Sequence, residues 1–127
     1  MLNEITAALE KAFPELPVYY GSSAEATGKK IYDYIVFYRE RMSWKNGSMG
    51  DPSVYYKVAL VHQNYIPEDE QTTVIDALRG IPGLKESGDV SFDYMTQPGT
   101  QLALEAAIYT FVAARKRLPA RVVTLDG

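Results

Sequence analysis

His62 is the single histidine among 127 residues and the side chain here best suited to move a proton near neutral pH. It lies in an alternating apolar stretch with no Ser, Asp or Cys beside it. Acid-base work there would need a carboxylate or nucleophile brought in from elsewhere, so a structural place in a strand is the simpler expectation. Glu68, Asp69 and Glu70 suggest a cation site, yet three acids following Pro67 are also what the dipole favours in a helix first turn. Gly47, Gly50, Gly80 and Gly83 carry no phosphate-cradling motif, because no Gly-Lys-Ser/Thr follows them and no strand-to-helix fingerprint surrounds them. The absence of cysteine removes thiolate nucleophiles, disulfides and Cys-based zinc sites, and one histidine excludes a multi-His metal centre. The expectation is a non-enzyme with no catalytic residue, no cofactor and no metal.

Two features point to binding instead. Ten tyrosines are an excess for this length, and Tyr19, Tyr20, Tyr32, Tyr34, Tyr38, Tyr55, Tyr56 and Tyr65 fall on three expected strands. Tyrosine combines a large apolar face with a hydroxyl and is enriched in interfaces. These rings are either half-buried on their own sheet or form a subunit contact on its outer face. Arg115-Lys116-Arg117 is a basic triplet, most simply solvated, in a chain with thirteen basic and sixteen acidic residues and a formal charge of -3. Without a global basic field, general nucleic-acid affinity is not expected.

The elements that position these residues follow from periodicity. With 46% hydrophobic and 23% charged residues, the chain reads as a single domain over 1–127, able to bury roughly two-thirds of its unfolded surface. No apolar run approaches the ~20 residues of a membrane span, and a soluble chain is expected. Leu2, Ile5, Leu9, Ala12 and Phe13 predict an amphipathic helix capped by Asn3 and closed by Pro14 and Pro17. Val18-Tyr19-Tyr20 predicts a short strand and Ala24 to Lys30 a loop. Two-residue alternation over Ile31–Met42 and again over Val54–Tyr65 predicts a long antiparallel hairpin, joined by the turn-rich segment Ser43 to Ser53. Pro67 to Arg79 predicts a second helix with Val74, Ile75 and Leu78 on one face, ended by Gly80 in the left-handed position.

Val90, Phe92 and Tyr94 alternate into a further strand. Gln101 to Arg117 divides between helix formers, Leu102 to Ala107, and strand formers, Ile108 to Val112, and its period does not decide. A hairpin through Pro98-Gly99, with a central strand covered on both faces, favours strand. Ala120 to Gly127 is expected to be a mobile arm or one borrowed by a partner. The fold class is therefore α+β: an antiparallel sheet with a long β-hairpin and two helices on one face, in the order α-β-β-β-α-β-β.

Twelve-residue strands span about 40 Å at ~3.3 Å per residue, whereas a compact domain of this size is about 36 Å across. The hairpin is expected to bend or overhang. Its outer end carries Arg39, Arg41, Met42, Trp44, Lys45 and Met49, cationic and large apolar groups with little chain nearby to bury them. That end reads as a partner-binding surface, with folding back onto its own sheet as the alternative.

The order of helix, short strand, long hairpin, helix and closing strand pair resembles the tail-terminator, or tail-completion, family of long-tailed bacteriophages. The resemblance is carried by the helix Leu2 to Phe13, by Tyr32-Asp33-Tyr34-Ile35-Val36-Phe37-Tyr38, by the tip Trp44 to Gly50, by Tyr55-Tyr56-Lys57-Val58-Ala59-Leu60-Val61, by the helix Glu68 to Arg79, and by the strand ending at Arg115-Lys116-Arg117. It implies a non-enzymatic virion protein forming a ring, usually a hexamer, on the head-proximal end of the tail tube. Its implied partners are its own copies, the tail tube protein and a head-proximal neck or connector protein. DNA passes through the ring without sequence-specific binding. Other connector or tail ring proteins share this topology. A small-ligand domain enclosing Tyr34, Tyr56 and Phe92, and an enzyme with a carboxylate beside His62, are the readings of other classes.

Overall fold

The computed structural model describes residues 1–21, 33–44, 52–96 and 101–114. Met49, the Arg115-Lys116-Arg117 triplet and the expected arm from Ala120 lie outside them. The first helix, α1 (Leu2–Ala12), buries Ile5 and Leu9, with Glu4 in its first turn and Lys11 in its last, each favourable to the dipole. Met1, not Asn3, occupies the cap position, and its amino group lies 2.9 Å from the Glu4 carboxylate.

Strand β1 (Val18–Tyr20) runs parallel to β2 (Tyr34–Ser43), which pairs antiparallel with β3 (Ser53–Gln63) as the expected hairpin. The helical stretch after Pro67 breaks at Thr72 into α2 (Glu68–Gln71) and α3 (Thr73–Arg79). Strands β4 (Leu84–Glu86) and β5 (Ser91–Thr96) precede β6 (Ala103–Ala114), which settles the ambiguous segment as strand. The six-stranded sheet runs β1-β2-β3-β6-β4, with β5 also on β6. It is thus mixed rather than wholly antiparallel, because β1 lies beside β2 in the same direction. The strand β4 was not expected. Gly80 has φ −77°, and the left-handed glycine is Gly83 at φ +85°, which turns the chain from α3 into β4.

Period-two alternation sorts the sheet into two faces. Ile35 and Phe37 of β2, Val54, Tyr56, Val58 and Leu60 of β3, and Ala107, Tyr109, Phe111 and Ala113 of β6 join Ile5, Leu9, Val74 and Leu78 of the helices in one core. The other face carries only a small buried cluster of Val61, Leu104 and Ala106, with Tyr34, Ala59 and Leu102 beside it. Both helical layers therefore sit on one face, as expected. Among the described residues no helix is long and apolar enough to cross a membrane.

The hairpin strands are shorter than expected, ten and eleven residues, or about 33 and 36 Å. They do not outrun the sheet, since β6 follows β3 to the pair Ser53–Ala114. They are bent: the register slips between Arg39 and Arg41, leaving Glu40 as a bulge. Leu60 is fully buried at the centre of the core. Leu60→Ala should lower unfolding free energy by about 2–5 kcal/mol, read from denaturant titration with an unchanged slope.

Candidate functional site

The bulge at Glu40 decides where the two arginines point. Arg39 pairs with Tyr56, a core-face residue, while Arg41 pairs with Tyr55 on the opposite face. The Arg39 Nε donates to the Tyr20 hydroxyl at 3.1 Å, and this bond raises the guanidinium above its already high ordinary value. The Arg41 guanidinium lies 3.7 Å from the centroid of the Tyr55 ring, a cation–π stack, with Glu40 at 3.9 Å. Both cations are thus held in place by their own chain yet remain exposed.

Met42 and Trp44 are 44% and 49% exposed at the outer end of β2. Beneath Met42, where α1 starts, a cleft of about 350 Å³ is lined by Met1, Leu2, Arg39, Met42, Val54, Tyr56 and the turn at Pro82-Gly83. Four of the five expected partner-binding residues, Arg39, Arg41, Met42 and Trp44, therefore share one corner of the fold. Met49 is outside the described residues. Arg39 and Met42 border the cleft, and Arg41 faces away from it.

His62 corrects an expectation. Its Nε2 lies 2.6 Å from the Glu70 carboxylate and its Nδ1 3.4 Å from Asp33. Asp33 also accepts the backbone N–H of Gln63 at 2.9 Å. The acidic partners that seemed missing come from the position next to Tyr34 in the hairpin register and from the first turn of α2. Tyr34 pairs with Val61, so Asp33 meets His62 as the next pair across the ladder. With a carboxylate at each ring nitrogen, the imidazole pins α2 and the start of β2 to the end of β3. No group of three His, Cys, Asp or Glu able to hold a metal occurs among the described residues.

Beside this pin, the Tyr109 hydroxyl donates to the Gln71 carbonyl at 2.6 Å. Burial, with the nearby Glu70 charge, pushes its pKa up to about 12. Glu105, the one buried carboxylate among the described residues, accepts the Ile66 N–H at 2.7 Å and the Tyr94 hydroxyl. Tyr34 and Tyr56 lie on opposite faces of the sheet and Phe92 is exposed, so no single pocket encloses the three.

Strand β5 carries the signal that the sequence reading missed. All six of its residues are exposed, including Phe92, Tyr94 and Met95 at 37%, 71% and 41%. Alternation there predicts a covered face, but no helix reaches it.

No family model matches the chain, and no curated protein matches it. A solved structure of a protein of unclear function aligns with 93% of this chain and 98% of its own, at 15% identity and a TM-score of 0.46.

The buried Tyr109 gives a signed pH dependence. A hydroxyl that ionises near pH 10 when unfolded and near 12 when folded contributes stability that is intact below pH 10 and lost as pH rises towards 12. The stability advantage of wild type over Tyr109→Phe should therefore shrink between pH 10 and 12, measured by denaturant titration at several pH values. His62→Ala should cost about 1–3 kcal/mol of folding stability through the lost charge-assisted bonds, and should leave assembly within a few-fold of wild type.

Proposed function

We propose that this chain is a structural, non-enzymatic protein of the neck of a long-tailed bacteriophage. It forms a ring that caps the head-proximal end of the tail tube, stops tube growth and joins tail to head. Its partners are its own copies, the tail tube protein and a neck or connector protein, and DNA slides through without sequence-specific binding.

The observation that carries the reading is the outer end of the hairpin. Met42 and Trp44 are half-exposed there beside two braced arginines, on a bent ribbon whose outer end borders a cleft at the start of α1. Large apolar side chains left exposed at the end of a paired sheet suit docking better than solvation. The helix, short strand, hairpin, helix and closing-strand order supports the same reading. So does the net charge of -3, since like charge opposes adhesion to phosphate.

Truncating a well-buried aromatic anchor typically costs about 2 kcal/mol of binding, a factor of roughly 30, at every interface of a ring. Trp44→Ala combined with Met49→Ala should leave a folded protomer that no longer caps tails, seen as overlong or headless tails in electron micrographs. A double variant that melts normally and still joins tails to heads would remove the tip from the mechanism. One that melts far lower would place the tip against its own sheet.

A further inference from the structure

The strand β5 pairs with β6 along one edge, and among the described residues no strand pairs with the other. The opposite edge of the sheet is the three-residue β1 beside residues 35–37 and, past it, the outer half of β2. A six-residue edge exposing Phe92, Tyr94 and Met95 is an open template for another chain, of the kind soluble proteins otherwise cover or load with charge. The charges present here have one prevailing sign. From Leu84 to Thr96 the sequence holds three carboxylates, Glu86, Asp89 and Asp93, against the single Lys85. Glu86 is taken by Arg79 at 2.8 Å, whereas Asp89 and Asp93 are exposed and form no ion pair among the described residues.

The outer end of the hairpin has the opposite balance. Among the described residues Arg39, Arg41 and Lys57 stand against one carboxylate, Glu40, which lies 3.9 Å from Arg41 and 3.8 Å from Lys57, and Met42 and Trp44 are exposed apolar groups. The two surfaces are thus complementary in charge, and each mixes charge with large apolar side chains. They also lie at opposite corners of the sheet. Met42 is level with Val54 and Ala113, whereas β5 covers the other end of β6, from Ala103 to Ile108. Either surface brought against its own like gathers charge of one sign, whereas the two surfaces brought together pair opposite charges. Two different, complementary patches on one molecule make a heterologous contact, which closes into a ring when the rotation permits.

The geometry points to a head-to-tail contact in which the outer end of β2, with Arg39 and Met42 on one face, Arg41 on the other and Trp44 at its end, seats on the β5 edge of the next copy, Arg41 facing Asp93. This contact rests on the ring reading above and assigns the neighbouring-subunit surface within it. The complementarity steers encounter and fixes which patch meets which, while Trp44, Met42, Phe92 and Met95 supply the apolar contact.

Arg41→Glu and Asp93→Arg test it, each replacing an exposed side chain. Sedimentation velocity over a concentration series reads assembly, and melting temperature confirms folding; Arg41→Gln and Asp93→Asn serve if a reversal lowers it. Each reversal should raise the concentration needed for assembly by roughly tenfold or more. An equimolar mixture of the two reversed proteins should assemble again, because each reversed hairpin then meets a reversed edge and each native hairpin a native edge. If wild type assembles and either reversed protein assembles equally well, the contact is wrong while the ring stands. Two reversals that block assembly with no recovery on mixing also overturn the pairing. A wild-type chain that stays a single protomer throughout overturns the ring reading and this contact with it.

Discussion

The pairing of β3 with β6 is the constraint on which the rest of the molecule hangs. All eleven residues of β3 face β6, from Ser53 opposite Ala114 to Gln63 opposite Leu104. Each of these strands then carries a second set of neighbours, β2 and through it β1 on one side, and β4 and β5 on the other. Because side chains alternate, fixing this one register places Val58, Leu60, Tyr109 and Phe111 together under the helices. A slip of β6 by one residue would turn Tyr109 and Phe111 to the open face and bring Thr110 into the core. On the other edge of β3, its register with β2 positions the bulge at Glu40 and hence which arginine faces which side.

Much of this could be read from residue order, for physical reasons that differ by element. The hairpin was legible because Tyr34 to Tyr38 and Val54 to Val61 alternate through β-branched and aromatic residues. The last strand was harder. Ala103, Ala106 and Ala107 favour a helix in isolation, and pairing along both edges overrides that preference in β6. Leu84–Glu86 went unseen because three residues between turns leave no period, and the direction of β1 is not written in Val18-Tyr19-Tyr20. The left-handed turn fell at Gly83 rather than Gly80, since α3 ends on ordinary helical geometry.

The docking corner and the histidine pin show the same division. Trp44 and Met42 were recognisable as apolar residues at the end of a long ribbon, whose neighbours are set by local chain. The partners of His62 were not, since Glu70 reaches it only after α2 packs against the sheet. Its other partner, Asp33, required the hairpin register to be counted one pair beyond Tyr34. The exposure of β5 was illegible in principle: alternation reports which side chains share a face, and only the helices' placement decides whether anything covers it.

The chain order of the sheet has a consequence for synthesis. β6 is the last described strand, yet it supplies the partner for β3, β4 and β5, so three elements are made before the strand that completes them. Until β6 emerges, the free edge of β3 and the backbones of β4 and β5 have no native strand to pair with. Such non-local closure slows folding and lengthens the time during which sticky edges are open. Misassembly is favoured in that interval, when a neighbouring chain's strand can fill the place meant for the chain's own.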